Sequence, residues 1–308
     1  MIIERRRKKN WGRFFVLIFI GIICLYFLYY FFSGKDKSGE LISPLVFSLA
    51  TTPVPVNNLE AAVLRSLVGT KGSYAVSIKN LQKNEKYNLK EHLQFDAGSL
   101  YKLWVMAEVF KQIESGALKE SDILSEDIAT LNNIFGISKE NAELKEGTIT
   151  LTISSALTQM ITISHNYAAM LLTKRIKLST VDLFLKRSGF DESKVGNVSE
   201  SPKTTASDIA LFFEKLYKGE LANPENTIKM IDLLKGQKLN DKLPKNLPAG
   251  LEIAHKTGEI EYFSHDGGIV YTEKGDYIIV VLSKSDIPTA AEDKISQISK
   301  QVYDYFQK

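Results

Sequence analysis

Phe95-Asp96-Ala97-Gly98-Ser99-Leu100-Tyr101-Lys102 is where the chain passes from an extended segment into a helix. Apolar Leu103, Val105, Met106, Val109, Phe110 and Ile113 follow it at helical spacing. Ser99 and Lys102 lie three positions apart, so they share one face of the first turn. A serine hydroxyl is a poor nucleophile at neutral pH unless a base stands beside it. Packing against Leu103 and Trp104 would disfavour the charged lysine and make it a better base. On its own the pattern is weak, because a helix-capping Ser followed by a solvated Lys gives the same spacing.

Two further motifs follow in order. Ser164-His165-Asn166 ends one apolar helix and starts the next. Such a junction projects a hydroxyl and an amide from a short loop. Lys256-Thr257-Gly258 ends an alternating strand. There Lys256 and Thr257 suit a substrate carboxylate, and Gly258 leaves room for substrate against the strand edge. His255 points to the other face of the sheet, which predicts packing. His165 is expected to support its loop, where a neutral imidazole can accept a hydrogen bond.

Working outward, Leu59 to Leu67 has helical periodicity. Ser73 to Lys79 alternates as a strand, turns near Gln82-Lys83-Asn84 and returns through Tyr87 and Leu89. Helical patterns then dominate nearly 150 residues, at about 99–114, 152–163, 166–176, 180–188, 205–218 and 228–234. Strands return at 252–257, 263–272 and 277–283, and a helix closes the chain from about 290 to 306. The pattern predicts an α+β fold. Both ends of the domain build one antiparallel sheet with flanking helices, and the middle forms an all-helical lobe.

These motifs, in this order and context, resemble the penicillin-recognising serine acyltransferases, and most closely the class A β-lactamases. The similarity runs from about Asn58 to Tyr305 and includes Met160-Ile161-Thr162-Ile163-Ser164-His165-Asn166 and Ser264-His265-Asp266-Gly267-Gly268. The resemblance implies Ser99 as acylated nucleophile, Lys102 as base, and Ser164 as proton relay to the leaving-group nitrogen. It implies Asn166, Lys256, Thr257 and Gly258 as substrate-binding residues. The backbone N–H groups of Ser99 and Glu259 would form the oxyanion hole. His165 stands where the family more often has Asp. The family's Glu-x-x-Leu-Asn loop motif, which orients the hydrolytic water, is missing. The corresponding loop, Asp191 to Pro202, is short, and Glu200 is its candidate substitute.

The N-terminus has a different character. Residues 1–13 hold six Lys or Arg against one Glu, so the remainder carries 33 basic and 35 acidic residues. The net charge of +3 therefore belongs to the tail, and the body shows no nucleic-acid-binding face. Phe14 to Phe32 is a 19-residue apolar run, about long enough to span a bilayer. The basic block before it predicts a cytoplasmic tail and an exported body. The run is long for a signal peptide and lacks a small-x-small cleavage site, which favours an uncleaved anchor. Cys24 is the only cysteine, so the body is expected to be stable without an intrachain disulfide. Ile23 before it argues against lipid attachment. Residues 33–57 read as a linker and 58–308 as the catalytic domain.

The sequence thus predicts a membrane-anchored serine hydrolase of the class A β-lactamase type with an extracytoplasmic catalytic domain. Its deacylation is open because the loop glutamate is missing. One alternative is an anchored D-alanyl-D-alanine carboxypeptidase or penicillin-binding protein acting on peptidoglycan. Another is a non-catalytic wall-binding or antibiotic-sensing domain, against which the intact Ser99, Lys102, Ser164 and Lys256 argue. No cofactor is expected. His92, His165, His255 and His265 show no paired metal-ligand spacing.

Overall fold

The computed structural model describes residues 59–308 except 84 and 198–199. The expected tail, anchor and linker at 1–13, 14–32 and 33–57 lie outside the described residues. Among the described residues no helix is long and apolar enough to cross a membrane.

Strands β1 (Ser73–Asn80) and β2 (Lys86–Leu89) form the N-terminal hairpin, and β7 (Ile253–Ile260), β8 (Phe263–Val270) and β9 (Tyr277–Lys284) come from the C-terminal part. They make one five-stranded antiparallel sheet in the order β2-β1-β9-β8-β7. The two ends of the domain meet where β1 pairs with β9, Val76 opposite Val281. That meeting is the predicted architecture.

Strand β9 explains how the sheet holds two layers together. Its Tyr277, Ile279 and Val281 pack with Leu59 and Val63 of α1 (Leu59–Leu67) and with Ile295, Ile298 and Val302 of α9 (Pro288–Phe306). Its alternate residues Ile278, Val280 and Leu282 join the core of the helical lobe. Both faces are covered, so β9 reads as an unbroken apolar run instead of an alternating one.

The lobe is built from α2 (Lys102–Glu114), α3 (Ile128–Ile134), α4 (Ile153–Thr162), α5 (Asn166–Ile176), α6 (Leu178–Ser188), α7 (Ala206–Tyr217) and α8 (Pro224–Lys235). It is not all helical. Strands β4 (Ile123–Asp127) and β5 (Thr148–Thr152) pair as an antiparallel ribbon, and β3 (Phe95–Asp96) pairs with β6 (Lys203–Thr204). Strand β5 does alternate, Thr148-Ile149-Thr150-Leu151-Thr152, with Ile149 and Leu151 packed on the lobe core, and the sequence reading passed over that five-residue signal. The predicted helix at 99–114 also divides. Gly98–Tyr101 is a 3₁₀ turn, and α2 begins at Lys102.

Side-chain caps set several starts. Thr152 accepts from the Ser155 N–H at α4, Thr205 from the Asp208 N–H at α7, and Asn223 from the Asn226 N–H at α8. Each satisfies a backbone donor that the helix leaves unpaired. Asn223 with Pro224 at the first helical position begins α8 earlier than its apolar periodicity indicates.

Candidate active site

The 3₁₀ turn sits against the inner end of β7 because two glycines permit it. A Cβ on Gly98, whose φ is +48°, would lie 2.8 Å from the Glu259 nitrogen. A Cβ on Gly258 would lie 2.8 Å from the Ala97 oxygen. Any larger residue at either place would push turn and strand apart. Their contact brings the Ser99 turn beside the Glu259 backbone nitrogen, the arrangement an oxyanion hole requires.

His265 ties this corner down. It is fully buried, accepts from the Ser283 N–H (3.1 Å) and donates from Nε2 to the Asp96 carbonyl (2.8 Å). Burial pushes its pKa down to about 4, so it stays neutral. Asp96 is in turn paired with Lys203, and the Ala97 N–H donates to the Pro202 carbonyl (2.7 Å). The Ser99 turn is therefore held from the sheet and from the 191–202 loop together.

Ser164 sits between α4 and α5 with φ +57°, in the left-handed region. For a residue with a Cβ that backbone costs about 1–3 kcal/mol, and such strain gathers at functional sites. Lys102 offsets it. The lysine has no exposed surface and donates to the Ser164 carbonyl (2.6 Å), Ser164 Oγ (3.2 Å) and Asn166 Oδ1 (2.7 Å). Lys256, also fully buried, reaches the same Ser164 Oγ (3.1 Å) and the Thr257 carbonyl (2.9 Å). One hydroxyl thus bridges two buried amines.

Burial lowers the pKa of Lys102 to about 7, helped by the charge of Lys256 and opposed by Glu143. Burial likewise lowers that of Lys256 to about 7, against the pull of Asp266. Neutral amine is thus abundant near neutral pH, as a general base needs.

The loop residue between Ser164 and Asn166 has a definite task. His165 is the N-cap of α5, and its Nδ1 accepts from the Ala168 N–H (3.1 Å). Burial lowers its pKa, which keeps Nδ1 free to accept. His255 is a packing residue as well. It is buried against Asp266, whose carboxylate also accepts from the Leu243 N–H (3.0 Å).

Ser99, Lys102, Ser164, Asn166, Lys256, Thr257, Gly258 and Glu259 therefore converge at the corner of turn, α4–α5 junction and β7. Glu200 does not join them by any hydrogen bond. It is exposed, its carboxylate accepts from Asn197 Nδ2 (3.3 Å), and it lines a cavity with Tyr101 and Val195. Two residues escaped the sequence reading. Glu143 accepts from Asn166 Nδ2, which fixes the amide with its oxygen toward Lys102. Lys242, 2% exposed, pairs with the Glu259 carboxylate. Both come from irregular loops, where no spacing signals them. Among the described residues no group of three or more His, Cys, Asp or Glu could hold a metal ion.

A serine at a helix start, a buried lysine one turn on, and a second buried lysine on the shared serine define a serine hydrolase of the penicillin-recognising kind. The chain belongs to the beta-lactamase enzyme family, whose model matches residues 58–306. The structure is similar to the beta-lactamase of Sphaerobacter thermophilus DSM 20745, at TM-score 0.71 and 22% identity over 81% of this chain and 97% of that one. It is similar to PBP-A at TM-score 0.70 and 21% identity, over 81% and 96%. A PBP-A variant captured as an acyl-enzyme with penicillin G gives TM-score 0.69 and 21% identity over the same shares. At these identities the likeness shows the fold. No curated protein matches the sequence.

Proposed function

We propose that the chain opens β-lactam amides through an acyl-enzyme on Ser99 and releases the product slowly. The observation that carries this is the Ser164 hydroxyl held between Lys102 and Lys256. Neutral Lys102 takes the Ser99 proton as Oγ attacks the carbonyl carbon. The oxyanion meets the N–H groups of Ser99 and Glu259. The proton passes through Ser164 to the leaving nitrogen as the amide C–N bond breaks. Asn166 holds the acylamino carbonyl, and Lys256 with Thr257 the carboxylate.

Release needs a water with its own base. The only acid proposed for that task, Glu200, is held at a rim by Asn197. A missing general base costs typically about 10²–10⁴-fold in rate. The same observation favours a second reading, an anchored penicillin-binding protein or D-alanyl-D-alanine carboxypeptidase on peptidoglycan, for which a long-lived β-lactam adduct is ordinary. Residues 14–32 are proposed to anchor the chain, with residues 58–308 outside the cytoplasm.

Intact-mass spectrometry after penicillin G tests the chemistry. One covalent adduct is expected in the wild type and none in Ser99→Ala. An adduct that persists in Ser99→Ala contradicts the assignment. Protease added to spheroplasts tests the topology, where full protection of the body excludes it.

A further inference from the structure

Tyr101 lies between the nucleophile and its base in sequence; the Lys102 amine stands 6.0 Å from its ring centroid, and the side chain also lines a cavity of about 550 Å³. That is within the range of small-molecule sites, roughly 300–1,000 Å³. Phe135, Leu178, Val195 and Pro202 supply its apolar walls. Val195, Asn197, Glu200, Ser201 and Pro202 of the 191–202 loop form one side of it. Backbone bonds pair Lys194 with Lys203 and Asn197 with Glu200. The loop's root is fixed by Asp208, which accepts from the Glu192 N–H and the Ser193 hydroxyl. None of Ser99, Lys102, Ser164, Asn166 or Lys256 lines this space.

Among the described residues the Tyr101, Thr173 and Ser201 hydroxyls and the Lys177 amine at the cavity make no side-chain hydrogen bond, and two of them stand out. Thr173 is 2% exposed, and its Oγ1 makes no hydrogen bond. A buried hydroxyl without a partner is costly, and native structures normally satisfy it. Lys177, at the end of α5, makes no ion pair or side-chain hydrogen bond among the described residues. The other charges are spoken for. Lys174 pairs with Glu126, and Glu200 accepts from Asn197. An aromatic and aliphatic chamber with a buried free hydroxyl at Thr173 and a free cation at Lys177 has a definite complement.

The geometry points to a second ligand site, separate from the Ser99 cleft, for a small monoanion with a flat apolar body. The body fills the chamber between Tyr101, Phe135 and Val195. The head accepts from the Thr173 hydroxyl and pairs with Lys177. Pro202 and Tyr101 are both joined to the nucleophile turn, so occupancy stiffens that turn from behind.

The probe is 2-naphthoate, titrated calorimetrically into the full chain, with 2-naphthylmethanol as the uncharged control. One saturable site is expected, with the alcohol bound at least tenfold more weakly. Lys177→Gln and Thr173→Val should each weaken naphthoate by about three- to tenfold, the worth of one hydrogen bond or ion pair. Val195→Trp, which fills the chamber, should remove binding, and its melting curve checks that it folds. Ser99→Ala should bind as wild type does. Absence of saturable binding overturns the site, and so does unchanged affinity in both Lys177→Gln and Thr173→Val. Loss of naphthoate on acylation of Ser99 places the probe in the catalytic cleft and also overturns it. The binding arms involve no turnover, so they stand or fall apart from the penicillin adduct.

Discussion

The α4–α5 junction and the 191–202 loop flank the same Ser99 turn and are built in opposite ways. At the junction a strained Ser164 is held by two fully buried lysines, and Asn166 is gripped by Lys102 on one side and Glu143 on the other. At the loop Glu200 is exposed, its one side-chain partner is Asn197, and a cavity lies behind it. In the proposed mechanism acylation uses the first region and release uses the second. Buried, mutually bonded groups are preorganised before substrate arrives, and an exposed acid at a loop tip is not. In the proposed mechanism this contrast gives the two half-reactions separate structural supports, so each can be strong or weak without the other.

Breaking the junction should have the largest effect. Lys102→Met removes the base and one support of Ser164, and acylation by penicillin G should fall about 10²–10⁴-fold in stopped-flow. Release from any adduct formed should change far less. Equal loss in both steps would show that the two regions are not separable.

The pH profile sharpens the same contrast. Acylation needs neutral Lys102, whose pKa is lowered to about 7, so its rate should rise with pH and level off above that value. Both lysines are lowered from 10.5 by burial, so the folded state carries their desolvation cost in full below about pH 7. The cost fades as pH rises from about 7 toward 10.5, where the unfolded chain loses its protons too, so this contribution to stability grows through that window. Glu143 raises the pKa of Lys102. Glu143→Gln should therefore move the acylation midpoint to lower pH, while its carbonyl oxygen can still accept from the Asn166 amide. A midpoint that does not move would remove Glu143 from the site's electrostatics.

Most of the junction was legible from residues alone. Ser99 and Lys102 share a face at helical spacing, and Ser164-His165-Asn166 stands between two apolar helical runs. The sheet was legible because strands at both ends of the domain had to find each other, and β1 with β9 does so. Glu143 and Lys242 were hidden because they act from irregular loops that only the folded chain brings near. The β4–β5 ribbon was missed although Thr148 to Thr152 alternates, because five residues between helical runs are a short signal and β4 carries only Ile123 and Leu124 before Ser-Glu-Asp.

The smallest effect belongs to His165. As the α5 N-cap it contributes about 1 kcal/mol, so His165→Ala should lower the melting temperature modestly. Its pKa is lowered by burial, so the cap is complete above about pH 6.5 and is lost as pH falls through the folded value. His165→Asp keeps an acceptor at the cap. It should abolish that pH dependence while leaving acylation within about threefold, as one cap acceptor replaces another. A large loss of acylation would show that His165 does more than cap.

Mixing the full chain with a chromogenic cephalosporin at known enzyme concentration separates the two regions in one trace. The expected result is a burst of one product per Ser99, followed by a slow phase that is unchanged within about twofold in Glu200→Gln, since no positioned base is removed. Sustained turnover without a burst, or a slow phase that collapses in Glu200→Gln, would contradict a release step without a positioned base.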